Sequence, residues 1–235
     1  MKREFIAAAL LTLGATGATS ALAQTTLSAG DLSFAIGTVS GSPVTDVTAL
    51  AGRGLIEFGA VDLQLDVAFG SSVTGALSTS SAQFGAHLSY RVSDSLRLGA
   101  FAMTRTENSS APSSVTYTGI GGEAMVQFAN LTGQAYLENS SDNVGGTDTT
   151  LSGIRVDYRF DQGFGLFAAY DYIDYNSIMV PNVGVTTLGG SYRLPGMPLD
   201  ITASASRNNF GLTSYALGVS YALGAGNDGL FAIRP

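Results

Sequence analysis

The chain has 235 residues, which is enough for one domain with a full core and too short for two comfortable ones. Apolar residues make up 45% of it and charged residues only 12%, where a soluble domain carries roughly 25% charge. A net charge of -7 excludes the basic face of a nucleic-acid-binding protein, and the apolar content excludes a disordered chain. These limits favour a charge-poor, glycine-rich β protein, and because it has no cysteine, it has no disulfides.

The first residues have the pattern of an export signal. Lys2 and Arg3 form a positive start, an apolar run follows at 5–13, and Ala21 and Ala23 give the small-x-small pattern before a cleavage site. We predict that residues 1–23 are a signal peptide removed after Ala23, and that 24–30 form a short N-terminal segment. The apolar run is too short to span a bilayer as a helix, and no later stretch approaches the ~20 residues needed.

From residue 31 onward, apolar and polar residues alternate with period two, which is typical of strands with two different faces. Residues 61–69 show the pattern most clearly, with apolar side chains at the odd positions. Most of the predicted strands reach the ~9–11 residues that a tilted strand needs to cross a bilayer. The twelve predicted strands are 31–39, 48–58, 61–69, 82–92, 95–105, 116–128, 131–138, 150–160, 163–173, 183–194, 198–206 and 212–222.

The connections alternate between short turns and longer polar loops. The link at 59–60 is short, whereas 106–115 and 139–149 are rich in Ser, Asn, Gly and Asp. Outer-membrane barrels have short turns at the periplasmic end and longer loops outside. We therefore predict an all-β fold, a transmembrane antiparallel up-and-down barrel at 31–222 with a C-terminal tail at 223–235. Strand one must then meet strand twelve, because lipid leaves no backbone group unpaired.

The charges are sorted by strand face, which separates a membrane barrel from a soluble sandwich. One face carries the Leu, Ile, Val and Phe residues and no charge, as expected where Arg or Lys on a lipid face costs ~2–4 kcal/mol. A soluble sandwich would cover its polar face more heavily with Lys and Glu. The residues predicted to line the lumen are Arg53, Glu57, Asp62, Asp66, His87, Arg91, Arg97, Arg105, Glu123, Glu138, Arg155, Asp157, Arg159, Asp171, Arg193 and Asp200.

Short turns also predict which of these residues lie opposite each other. Arg53 should face Asp66, and Arg193 should face Asp200, as ion pairs across neighbouring strands. Arg91 should face Arg97, which requires a carboxylate from a neighbouring strand. Two interpretations stay open: a transverse field that acts on polar solutes, or pairs that only satisfy a narrow interior. Large side chains would fill part of the bore: Phe101, Met103, Met125, Tyr136 and Phe167.

Aromatic residues near the strand ends resemble the two interfacial girdles of membrane barrels. At the loop end, the predicted girdle consists of Phe69, Tyr117, Tyr170, Tyr172 and Tyr215.

Several segments carry a resemblance to a known class. The hairpin at 121–128 and 131–136 and the strand at 215–221 resemble those of Gram-negative porin-type outer-membrane barrels, similar to short alphaproteobacterial porin-like proteins. The resemblance implies an integral outer-membrane location and covers the architecture of nearly the whole mature chain, without a specific binding motif. One departure is the C-terminus, since such barrels commonly end on an aromatic residue and this chain ends at Pro235 after Phe231.

The sequence favours a porin that lets small hydrophilic solutes diffuse through a narrow lumen lined by arginine and acid. The alternative is a non-conducting structural or surface-interaction barrel. An enzyme is a distant third hypothesis, because the lone His87 faces the lumen without a nucleophile motif. We predict no catalytic site, cofactor or metal. The expected partners are membrane lipid, lipopolysaccharide and small solutes, but not nucleic acid; a homo-oligomer is an open alternative.

Overall fold

The computed structural model describes residues 27–41, 43–110, 114–144, 148–177, 180–224 and 230–232. The predicted signal peptide lies outside these residues. Within them the chain forms twelve strands: β1 Leu27–Val39, β2 Thr45–Phe58, β3 Val61–Thr74, β4 Leu77–Ser93, β5 Leu96–Ser109, β6 Ser114–Phe128, β7 Leu131–Asp142, β8 Asp148–Arg159, β9 Phe164–Asp174, β10 Val183–Arg193, β11 Leu199–Asn208 and β12 Thr213–Gly224. In this part of the chain, no helix is long and apolar enough to cross a membrane.

The strands close into one antiparallel barrel in which each strand pairs with its neighbours in sequence. The predicted meeting of the first and last strands is confirmed, with Leu32 opposite Tyr221 and Phe34 opposite Val219. Closure leaves the sheet without an edge, which is the condition for a strand-built protein in lipid. The predicted all-β barrel and its strand count are both confirmed.

The two faces of the sheet differ as the period-two pattern predicted. Outward-facing Ile120 and Leu188 are 66% and 60% exposed on the barrel surface, whereas inward-facing Asp62 and Glu138 are 0% and 1% exposed. This is the reverse of a soluble domain, where apolar side chains are buried and charges face the solvent. An apolar exterior around a closed sheet is the arrangement that a hydrocarbon environment stabilises.

The strands extend beyond their predicted limits at the loop end of the barrel. The predicted connection at 71–81 is largely β3 and β4, which meet in a tight turn at Gly75 with a φ of 59°. The predicted loop at 106–115 shortens in the same way between Ser109 and Ser114. Side chains there are mostly polar on both faces, so the alternation fades while backbone pairing continues. Residues 71–74, 77–81, 106–109 and 114–115 therefore continue the barrel wall.

One member of the predicted loop-end girdle lies on the other face of the sheet. Tyr117 is directly opposite Arg105 on the inward-facing side of β6, so it belongs to the interior. The hydroxyl of Tyr172, by contrast, accepts a hydrogen bond from Asn182 Nδ2 at 2.8 Å. Tyrosine is common in strands on either face of a sheet. The position of Tyr117 near a strand end therefore did not predict which face its side chain occupies.

Aromatic rings inside the barrel lie against glycines of the next strand. Phe101 of β5 is opposite Gly121 of β6, and a Cβ added at Gly121 would overlap the ring. The same relation joins Tyr136 to Gly153, and Phe167 to Gly189. Each glycine leaves room for a bulky inward-facing ring, so these pairs fill the interior on successive odd-numbered strands.

Candidate functional site: the barrel interior

The sixteen side chains that we predicted to line the lumen all stand on the inward-facing parity of their strands, with very unequal burial. Those that are fully buried are Asp62, Asp66, His87, Glu123, Glu138 and Asp200. The others are partly accessible, and Glu57 is the most exposed of them. The buried group lies mainly on the wall formed by β3 to β7, so the interior is packed on one side and more open on the other.

Asp62 is the carboxylate that contacts both Arg91 and Arg97. These two arginines face each other across β4 and β5, as predicted. Oδ1 of Asp62 lies 2.8 Å from Arg91 and its Oδ2 lies 3.3 Å from Arg97. Glu57 adds a second carboxylate 3.0 Å from Arg91. One buried acid from the neighbouring strand β3 therefore neutralises the repulsion between two guanidinium groups.

The predicted partner of Arg53 was wrong, although the predicted register was right. Arg53 is opposite Asp66 on β3, but it is also opposite Asp31 on β1. The guanidinium binds Asp31 through two nitrogens, with Nε donating to Oδ1 at 3.1 Å. Asp66 is already occupied by Gln64 and His87, so Asp31 is the carboxylate left for Arg53.

His87 lies at the centre of the packed wall between two carboxylates. Its Nε2 is 3.0 Å from Asp66 and its Nδ1 is 2.9 Å from Glu123. The ring is stacked on Phe101 at 5.4 Å and on Phe231 at 6.1 Å. Both ring nitrogens therefore face acids, an arrangement suited to an imidazolium that holds two strands together.

Residues 230–232 of the C-terminal tail lie inside the barrel, which sequence reasoning missed. Phe231 is 1% exposed and Leu230 is 3% exposed, in contact with Ala29 and Leu55 of the wall. Leu230 and Phe231 follow a glycine-rich polar stretch at 226–229, and these two large apolar side chains were the available signal. β12 ends at Gly224 at the short-turn end of the barrel, and residues 230–232 lie inside the lumen.

Two glutamines hold this segment by its backbone. Gln64 of β3 accepts from Phe231 N at 2.8 Å and donates to Phe231 O at 3.1 Å. Gln134 of β7 accepts from Ala232 N at 2.9 Å and donates to Leu230 O at 3.3 Å. The segment therefore bridges two walls that lie four strands apart.

The wall from β8 to β11 is more accessible. Arg155 and Asp157 form an ion pair at 2.7 Å with side chains 34% and 35% exposed, and Arg155 also lies 4.2 Å over the ring of Phe167. The predicted pair of Arg193 and Asp200 is confirmed, with two hydrogen bonds at 3.0 and 2.7 Å. Charged groups on this wall are thus fixed in place while still reaching the interior space.

The remaining predicted side chains are spread along the interior. Asp171 accepts a hydrogen bond from the hydroxyl of Tyr136 at 2.9 Å, and Arg105 pairs with Glu107 at 2.6 Å. Arg159 extends the open wall toward the short-turn end, and Glu138 lies against Gly119 on the packed wall. These residues form a lining that runs the length of the barrel and do not converge on one reaction centre.

Comparison with known proteins identifies the same architecture. No protein-family model matches the sequence, and no curated protein sequence is similar to it. Among solved structures, the NanC porin is 11% identical, with 82% of this chain and 100% of that chain covered and a TM-score of 0.64. The KdgM porin in complex with disordered oligogalacturonate is 12% identical, with 81% and 98% covered and a TM-score of 0.57.

These likenesses show the fold, an antiparallel β-barrel of the outer-membrane class. The apolar exterior, the closed sheet and the charged interior agree with that class, as the resemblance in the sequence implied. The chain is thus an integral membrane β-barrel of the outer-membrane type.

Proposed function

We propose that this chain is a porin that lets small hydrophilic solutes cross the outer membrane by passive diffusion. The observation that carries the proposal is the wall from β8 to β11, where Arg155, Asp157 and Arg193 are held in ion pairs with about one-third of each side chain exposed to the interior. Polar solutes lose hydration in a narrow bore, and charged side chains with polar neighbours compensate for that loss. The KdgM porin, which has this fold, was solved with an oligogalacturonate, a hydrophilic molecule.

The narrow passage would run beside this open wall, because the β3 to β7 side is filled by buried polar groups and the tail. Arg155 and its partner Asp157 on β8, and Arg193 on β10, would meet solutes on one side. The interior would then act on polar solutes through a local electric field. We therefore favour this interpretation of the ion pairs over a purely structural one.

Planar-bilayer recording tests the proposal. The refolded, heat-modifiable barrel should open discrete channels, and Arg155→Gln should shift the reversal potential in a salt gradient toward cation selectivity. Arg207→Gln is the matched control, since Arg207 lies on the outward-facing parity of β11 and should leave selectivity unchanged. Equal shifts in both variants would contradict the proposed passage.

A non-conducting barrel is the second candidate, and burial of Phe231 in the lumen favours it. In that case the full-length folded protein would insert into bilayers without conductance. The loops would then be the interacting part of the molecule.

The proposal also includes the expected surroundings of a porin: lipopolysaccharide in the outer leaflet and export by the signal at 1–23. OmpT of Vibrio cholerae, which is 8% identical with 83% of this chain and 98% of that chain covered and a TM-score of 0.50, is described in a trimer form. A homo-oligomer of this barrel is therefore part of the proposal. Light scattering of the detergent-solubilised protein tests it, and a monomer mass would contradict it.

A further inference from the structure

The interior contains a segment of peptide held as a ligand would be held. Gln64 pairs with both the N–H and the C=O of Phe231, and Gln134 pairs with Leu230 O and Ala232 N. In an extended chain, the backbone groups of one residue point to one side and those of its two neighbours point to the other. The two glutamines therefore satisfy both edges of an extended tripeptide, as neighbouring strands would.

The side chains of the segment also have sites of their own. Leu230 packs against Ala29 and Leu55, an apolar spot in a polar interior. Phe231 stacks on His87 with an interplanar angle of 7°, and Arg53 donates a second hydrogen bond to Phe231 O at 2.9 Å. His87 and Arg53 are themselves fixed by Glu123 and Asp31, so the site is supported from behind.

We propose that the barrel interior carries a binding site for an extended peptide with two consecutive large apolar residues, and that residues 230–232 are its resident ligand. The recognition is through the backbone at both edges and through two side-chain sites, which defines the class of ligand. Gln64 is three residues from the start of β3, so the segment sits about 10 Å inside the short-turn mouth.

Occupation of this site narrows the lumen, and this consequence rests on the proposed porin function. The ligand is tethered through residues 225–229 to the end of β12, and a short tether gives an effective concentration in the millimolar range. A peptide added from outside would compete poorly with the intact tail and would bind well to a barrel without it.

The test uses a barrel that ends at Gly224 and a fluorescent synthetic peptide with the sequence of residues 225–235. The shortened barrel and the full-length barrel are each refolded and checked for heat-modifiable migration. The peptide should bind the shortened barrel saturably and the full-length barrel weakly. A peptide carrying Phe231→Ala should bind about 10- to 100-fold more weakly, because it loses one buried aromatic side chain. Gln64→Ala in the shortened barrel should weaken binding of the unmodified peptide.

Conductance separates this proposal from the proposed function. If the shortened barrel conducts more than the full-length barrel and the peptide reverses the increase, the porin proposal and the peptide-site proposal are both supported. If neither barrel conducts while the peptide binds, the porin proposal fails and the peptide site stands. If both barrels conduct equally and the peptide does not bind, the peptide site is overturned and the porin stands.

A second variant covers the case in which the shortened barrel does not fold. The natural chain has no cysteine, so Leu55→Cys with Leu230→Cys places one pair of thiols within the Leu230 site. Oxidation should fix the tail inside and lower the full-length conductance, and a reductant should restore it. A disulfide that fails to form in the folded, full-length barrel would contradict the occupied site.

Discussion

Asp62 is buried between two arginines, so Asp62→Asn should destabilise the barrel far more than the same change at an accessible acid of the lumen. The carboxylate is 0% exposed and lies 2.8 Å from Arg91 and 3.3 Å from Arg97. Asparagine keeps the size of the side chain and removes its charge. The two guanidinium groups, which face each other across neighbouring strands, would then repel each other.

The magnitude follows from the burial of each partner. Removing one member of a buried ion pair costs about 3–5 kcal/mol, since the remaining charge is left uncompensated. Arg91 is 34% exposed and keeps Glu57 at 3.0 Å, so the lower end of that range, about 3 kcal/mol, is expected. Asp157→Asn is the matched control: its pair with Arg155 is about one-third exposed on both sides, and its loss should cost about 0.2–1 kcal/mol.

Reversible urea unfolding in lipid vesicles, followed by tyrosine fluorescence and heat-modifiable migration, measures both free energies of unfolding. We expect a difference of about 2 kcal/mol between the two variants. Equal losses would refute the division of the interior into a packed wall and an accessible wall. A loss in Asp157→Asn alone would refute the assignment of Asp62 as the acid that holds the two arginines.

Two further predictions test the packing of the wall and the environment on each face. Gly121→Ala should lower the free energy of unfolding by about 1–3 kcal/mol, because the added Cβ would overlap the ring of Phe101. In the control Gly133→Ala the Cβ meets only ordinary contact with Val126 at 3.4 Å, so stability should change by less than about 0.5 kcal/mol. Urea unfolding compares the two variants, and equal values would contradict the packing of rings on glycines. Leu188→Arg should lower the free energy of unfolding in vesicles by about 2–4 kcal/mol, because Leu188 faces outward near the middle of β10. Thr187→Arg, whose side chain faces inward, should lower it by less. The reverse order would contradict the assigned faces.

The strands and their faces could be predicted from sequence because lipid and lumen impose opposite side-chain chemistry on alternate residues. The short turn between β10 and β11 was enough to place Arg193 against Asp200. The strand ends were less predictable, since the mostly polar residues at 71–74, 77–81 and 106–109 form strand beyond the region where faces must differ. There the alternation carries no information, and backbone pairing alone determines where each strand stops.

The interior was predicted as a lining, but its partners were only partly predictable. Arg53 has an acid opposite it on each side, and the choice of Asp31 depends on His87 and Gln64 occupying Asp66. That choice is a property of the network and not of any pair. The tail site depends on Gln64 and Gln134, two neutral side chains on strands four apart, which no local pattern relates to Phe231.

Thiol accessibility along β9 and β10 tests the central claim most directly, that an accessible charged wall lies inside a barrel whose outside faces lipid. Single cysteines at Thr187, Ser191, Leu166 and Leu188 can be read without interference, because the chain has no cysteine of its own. In proteoliposomes, a charged thiol reagent should label Thr187→Cys and Ser191→Cys and leave Leu166→Cys and Leu188→Cys unlabelled. Equal labelling on both faces, or labelling of the leucine positions alone, would contradict the account.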